Sequence, residues 1–138
     1  MAGHQRVTDA DYARLLRLRT RLRQFERWSA EQAAARGLTA SQHQLLLAIR
    51  GHGGAEGPTI GEVAEYLLVR HNTAVELVNR TQELGLVERI RDGADQRVVR
   101  LALTSEGRKR LNELSAEHLE ELARLATVVE ELFDALRT

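Results

Sequence analysis

Residues Thr59–Gly107, TIGEVAEYLLVRHNTAVELVNRTQELGLVERIRDGADQRVVRLALTSEG, carry the pattern that decides the fold. Thr59-Ile60-Gly61-Glu62 has the spacing of a capping box, in which hydroxyl and carboxylate each satisfy a backbone N–H that a helix start leaves free. A short helix therefore opens at Thr59. Arg70-His71-Asn72-Thr73 opens a second helix running to Gly85, with Ala74, Leu77, Val78, Thr81 and Leu84 on one side at helical period. Asn72, Glu76, Asn79 and Glu83 fall on the opposite side. Val87 to Arg91 and Arg97 to Thr104 then flank a turn, Asp92-Gly93-Ala94-Asp95, as the strands of a hairpin. Helix, tight turn, helix and arginine-bearing hairpin make a winged helix-turn-helix, a pattern that points to duplex DNA.

Outward from this core both ends of the chain read as helix. Asp9 and Asp11 favour a helix start, and Tyr12, Leu15, Leu22 and Phe25 recur at three- and four-residue spacing up to Gly37, a good helix stop. That helix would be about 40 Å long, more than one small globule covers. Thr39-Ala40-Ser41-Gln42 is a second capping box, opening a helix through Leu45, Leu46, Leu47 and Ile49, apolar on several sides and so expected at the centre. Gly51 to Pro58 reads as a flexible connector. Ser105 to Leu136 is helical, with Leu111, Leu114, His118, Leu122, Leu125, Leu132 and Leu136 on one stripe and room for a break near Ala126-Thr127.

The fold class is therefore mainly α with a small β-hairpin wing: a winged helix-turn-helix core flanked by long N- and C-terminal dimerisation helices. Residues 1–37 form the N-terminal dimerisation helix, 38–104 the DNA-binding core and 105–138 the C-terminal dimerisation helices of a single structural domain. Apolar stripes at both ends have little else to bury them, and pairing across a two-fold axis predicts a homodimer.

Composition narrows the function classes. Apolar residues at 43% supply a core, and no 18-residue apolar run marks a membrane span. The N-terminal stretch MAGHQRVTDAD lacks the apolar region of a secretory signal. The chain has no Cys, which removes disulfides, thiolate zinc sites and cysteine redox sensing and fits a cytoplasmic protein. Twenty basic residues balance twenty acidic ones. Residues 1–36 carry net +4, 67–100 about +1 and 105–138 net −3, so a DNA-binding face depends on how the fold sorts these charges. Enzyme signatures are absent: His52-Gly53-Gly54 lacks a Gly-x-Ser-x-Gly elbow, and Glu117, His118 and Glu121 lack a His-Glu-x-x-His zinc motif. No catalytic residue, metal or cofactor is expected.

The candidate DNA-binding residues are Arg70, His71, Asn72, Thr73, Glu76, Arg80, Asp95 and Arg97. Asn bonds adenine in two places, Arg does the same for guanine, Thr meets a thymine methyl and Glu accepts from a cytosine amino group. Arg80 lies at the side of the helix and suits a phosphate. An ordinary amphipathic surface helix would also be polar there. Asp95 and Arg97, two apart, are expected to pair, which would aim the guanidinium at a narrow minor groove; in a plain hairpin such a pair is worth little. Val99, Leu101 and Leu103 alternate towards the core while Arg100 faces out.

The run Asp92 to Gly107, DGADQRVVRLALTSEG, resembles the wing of the multiple-antibiotic-resistance regulator (MarR) family of bacterial transcription factors, matching at Asp92, Asp95, Arg97, Leu103, Thr104 and Gly107. TIGEVAEYLLVRHNTAVELVNRTQELGLVERI resembles the family's helix-turn-helix, including Gly85-Leu86-Val87. The order of elements agrees over nearly the whole chain, with two C-terminal helices implied. The resemblance implies an obligate dimer whose recognition helices enter successive major grooves of a pseudo-palindromic operator, with Arg97 the minor-groove arginine and Asp95 its support. Gly93 stands where the family often has Pro, and Glu76 and Thr81 where Arg and Leu are frequent. The resemblance also implies a small, commonly aromatic effector, for which Trp28 and His43 are the candidate residues; both also fit plain packing roles. A repressor in the bacterial cytoplasm, associated with the nucleoid, is the implied function. The alternative is a winged-helix protein-interaction module that does not bind DNA, favoured by the neutral charge.

Overall fold

The computed structural model describes residues 6–137. Five helices and one hairpin follow in the order α1 (Asp9–Ala35), α2 (Ala40–Gly51), α3 (Ile60–Leu67), α4 (His71–Glu83), β1 (Val87–Arg91), β2 (Val99–Leu103) and α5 (Ser105–Arg137). The start of the N-terminal stretch, residues 1–5, and Thr138 lie outside the described residues.

Local signals set the boundaries. Thr8, Thr39 and Thr59 each cap a helix, with Asp11, Gln42 and Glu62 closing the box from the third helical position. Gly37, at φ 74°, ends α1: its N–H donates to Ala34 O (3.0 Å) and Leu38 N–H reaches back to Ala33 O (2.9 Å). That left-handed step turns buried Leu38 into the core.

The core lies where α2, α4, the hairpin and the first turns of α5 converge. Leu45, Leu46, Val63, Val78, Leu86, Val87, Leu101, Leu111 and Leu114 are buried in one cluster. The hairpin pairs antiparallel with Val87 opposite Leu103 and Arg91 opposite Val99, so Leu101 and Leu103 point inward as the alternation predicts. Thr81 is fully buried and donates its hydroxyl to Leu77 O (2.7 Å), which satisfies a polar group on an apolar face.

Several expectations are corrected. The C-terminal segment is one helix of 33 residues rather than two, with no break at Ala126-Thr127; those residues are good helix formers or sit in a helical context without Gly or Pro. β2 begins at Val99, so Arg97 belongs to the turn. Leu47 and Leu84 are about half exposed despite their apolar neighbours. The connector from Gly51 is anchored at its end. Pro58 is buried, its carbonyl accepts from Leu101 N–H (2.9 Å), and Gly57 lies directly on the Leu101 carbonyl.

The two terminal helices are sparsely covered. Over its 27 residues α1 buries only Ser29 and Ala33, and it leaves Tyr12, Leu15 and Leu16 more than half exposed. On α5 the exposed apolar residues are Leu119, Leu122, Phe133 and Leu136. Arg36, at the end of α1, forks onto Glu117 of α5 and reaches Glu113 (3.3 Å), which fixes the helices against each other. No helix among the described residues is long and apolar enough to cross a membrane.

Candidate nucleic-acid interface and the aromatic box

The recognition helix presents its entry to solvent. Arg70, His71, Asn72 and Thr73 are all exposed, and Arg70 occupies the N-cap position without making a side-chain cap. Ser, Thr, Asp or Asn normally fills that position. Arg leaves the first-turn N–H groups of α4 without a side-chain acceptor from the cap, at the positive end of the helix dipole. Glu76 and Arg80 are exposed one and two turns further on and share a cavity of about 470 Å³ with Thr39–Gln42 at the start of α2. Asn79 and Gln82 are engaged by Arg89 of β1, Asn79 Oδ1 accepting from its Nη2 at 2.7 Å. That clamp holds the wing to the recognition helix.

At the wing tip the expected ion pair forms. Asp95 Oδ1 accepts from Arg97 N–H (3.0 Å) and Nε (3.2 Å), and Oδ2 from Nη2 (3.4 Å). The Arg97 side chain is nonetheless 92% exposed. The carboxylate thus fixes the direction of a guanidinium that the solvent still sees almost whole.

Arg100 does not face out, as the strand alternation alone had suggested. Its Nε lies 2.9 Å from Asp92 Oδ2 and 2.9 Å from Glu56 Oε2, and its Nη1 donates to Gly57 O (3.1 Å). Asp92 is buried, accepts from Ala94 N–H (2.8 Å) and has its carboxyl held below the ordinary range, first by that bond and then by Arg100. Glu62 is also held low, chiefly by Thr59 N–H at the capping box. His52, beside Glu62 (3.4 Å) and Tyr66 Oη (2.8 Å), closes this network between connector, α3 and wing. The turn residue Asp92 made this network findable in sequence only through its partner, eight residues away.

The balanced charge is therefore sorted by the fold. Acids at 56, 62 and 92 are taken up by Arg100, and those at 113 and 117 by Arg36, while Arg70, Arg80 and Arg97 are exposed. Glu76 and Glu83 remain exposed on the same helix as Arg80.

Trp28 and His43 both meet the ring of His118 of α5, Trp28 tilted at 4.8 Å and His43 edge-on at 4.7 Å between ring centres, and Phe25 meets it edge-on at 5.9 Å. His118, which the sequence places on an apolar stripe and outside any zinc motif, is the ring that joins them. Its Nδ1 lies 2.7 Å from Leu114 O, a carbonyl that only accepts, so Nδ1 carries a proton. In the neutral ring Nε2 then accepts from Ser29 Oγ at 2.6 Å. His43 is 3% exposed, and its Nδ1 has no partner among the described residues. A neighbouring cavity of about 380 Å³, lined by Arg21, Gln24, Phe25, Glu121, Arg124, Leu125 and Val128, opens between α1 and α5. Among the described residues no group of three potential ligands is placed to hold a metal.

Burial, and then the neighbouring His118, push the His43 imidazole down from 6.5 to about 4. Between those values the unfolded chain binds a proton that the folded chain refuses. The neutral buried imidazole therefore costs the fold nothing above pH 6.5, and stability declines by this one group's contribution as pH falls from 6.5 to 4. His43→Phe keeps the aromatic contact and removes the titration. Its thermal midpoint is expected to exceed that of the parent at pH 5 by more than at pH 8; parallel pH profiles for the two proteins would refute this account.

Comparison with known proteins places this geometry. Residues 36–98 match the model of the MarR family. The chain is 39% identical over 64 residues to the uncharacterized HTH-type transcriptional regulator YsmB of Bacillus subtilis, covering 46% of this chain and 44% of that one. It is 27% identical over 101 residues to the HTH-type transcriptional repressor MdtR of the same organism, covering 73% of this chain and 63% of that one. The matched stretches thus span less than two thirds of either relative. Among solved structures, CouR from Rhodococcus jostii RHA1, bound to p-coumaroyl-CoA, superposes with a TM-score of 0.70 at 25% identity, over 96% of this chain and 93% of that one. Residues 36–98 are thus similar in sequence to the MarR family, and the order and packing of the elements are similar to those of CouR.

Proposed function

We propose that the chain is a sequence-specific DNA-binding transcriptional regulator, a repressor acting in the cytoplasm on a pseudo-palindromic operator. The observation that carries this is the wing: Arg97 is held in direction by Asp95 while remaining 92% exposed, at the tip of a hairpin clamped to an exposed recognition-helix entry. Arg70, His71, Asn72 and Thr73 read base edges, Glu76 meets a cytosine amino group, Arg80 meets phosphate and Arg97 enters the minor groove. The names of the relatives, regulator and repressor, agree with this role and not with an enzyme.

The active form is a homodimer joined through α1 and α5. The exposed Tyr12, Leu15, Leu16, Leu119, Leu122 and Phe133 supply the apolar surface such an interface needs. Leu16→Glu with Leu119→Glu is expected to convert a dimer to a monomer in sedimentation analysis and to abolish cooperative operator binding. A monomeric parent protein would overturn the assembly.

A small aromatic effector acts beside the aromatic box of Trp28, His43 and His118, where α1, α2 and α5 meet. CouR holds an aromatic acyl thioester, and the unpartnered His43 Nδ1 offers an aromatic acid or phenol a polar anchor here. Such a ligand shifts the spacing of the recognition helices only as far as it binds one conformation better than the other.

Selection from random duplexes with the purified protein tests the reading directly. Enrichment of an inverted repeat with half-sites about one helical turn apart, bound more weakly as salt rises, is the expected result. Recovery of no duplex even at low salt would favour the protein-interaction module instead.

A further inference from the structure

Among the described residues Leu68 is the sole non-glycine with left-handed backbone, at φ 56° and ψ 44°. It stands in the turn between α3 and α4. Its N–H donates to Glu65 O (3.3 Å), and Val69 N–H reaches Ala64 O (3.1 Å), the bond pair of a glycine-type helix ending. Glycine is the usual occupant there because a Cβ crowds the neighbouring carbonyl. A leucine accepts that strain with little to offset it: the residue is 91% exposed, well above any other exposed large apolar residue among those described. Val69, next to it, is tucked to 37%. Backbone strain joined to complete apolar exposure marks a residue whose contact lies outside the free protein.

Position and charge identify that contact. Leu68 lies two residues before Arg70, hence within about 7 Å of the entry to α4. Residues 66–75 hold Arg70 and His71 and no acid, a setting that favours a polyanion over an apolar protein face. A helix-turn-helix that brings the first turn of α4 to the base edges carries the preceding turn to the mouth of the same groove. The apolar feature of the major groove is the 5-methyl of thymine.

Resting on the DNA-binding reading above, we propose that Leu68 is a specificity-determining residue that reads one thymine in each half-site through its 5-methyl group. The contact is apolar and one-sided: cytosine in its place offers no methyl, and uracil differs from thymine by the methyl alone.

The test uses the full chain and the duplex recovered from the random selection, with each thymine replaced singly by deoxyuridine. At one position per half-site the replacement is expected to weaken binding about fourfold, the worth of burying one methyl-sized group. Leu68→Gly suits the left-handed backbone and is expected to fold with an unlowered thermal midpoint. In that variant, affinity for the thymine duplex falls by a similar factor and the deoxyuridine replacement has no further effect. Equal sensitivity to deoxyuridine in parent and variant, or none in either, overturns the proposal while leaving DNA binding intact. Failure to select any duplex overturns both.

Discussion

Gly107→Ala is expected to remove most of the stability of the winged core. A Cβ there would stand 2.1 Å from the carbonyl oxygen of Leu86 and 3.1 Å from its carbon, and both are backbone atoms of a fully buried residue. That carbonyl is already held by Thr104 N–H (3.1 Å), while the Thr104 hydroxyl donates to Gly85 O (2.6 Å) and accepts from Gly107 N–H (3.1 Å). The start of α5 is thus buttoned to the end of α4, and neither side can recede without breaking the button. We expect a loss of more than about 4 kcal/mol and a fall in thermal midpoint of at least roughly 10 °C. Gly57→Ala is expected to do comparable harm, because its Cβ would meet the Leu101 carbonyl oxygen at 1.8 Å and prise the Pro58 bond from the wing. Gly53→Ala is the control, with nothing within 4 Å of its added carbon. Calorimetry decides it: a Gly107→Ala protein melting within about 3 °C of the parent would show that the contact relaxes freely.

These glycines mark the boundary of what could be read from sequence. Elements governed by neighbours two to four residues away are legible: the capping boxes at Thr39 and Thr59, the apolar face of α4, and the Asp95–Arg97 pair all rest on local spacing. Contacts closing over long separations are not. Gly57 looked like slack in a connector because its partner, Leu101, lies 44 residues away. Alternation assigned Arg100 to solvent, since a strand pattern carries no information about the acids that Glu56 and Glu62 bring alongside it. In the box, the family resemblance points to Trp28 and His43, and the ring that joins them, His118, comes from a helix 75 residues beyond His43. The same limit explains the charge balance, which counts paired and exposed residues alike.

Arg97→Ala is the substitution with the largest expected effect on function. A guanidinium inserted into a narrow minor groove gains from the enhanced negative potential there, and Asp95 spares it part of the cost of being ordered. We expect operator affinity to fall about 10- to 100-fold and the salt dependence to become shallower by about one counterion for each wing. Stability should barely move, because a side chain 92% exposed has little buried surface to lose. Asp95→Asn keeps an acceptor for the Arg97 N–H and is expected to cost only about threefold. Arg100→Ala supplies the contrast. Its guanidinium joins Asp92, Glu56 and Gly57 behind the wing, so its loss should lower the thermal midpoint and displace the hairpin, weakening binding through position. If Arg97→Ala bound DNA as the parent does, the wing tip would be a surface ion pair and nothing more. The specificity would then have to reside in α4 alone, where Glu76 and Glu83 oppose a polyanion, and the protein-interaction reading would gain what the wing had lost.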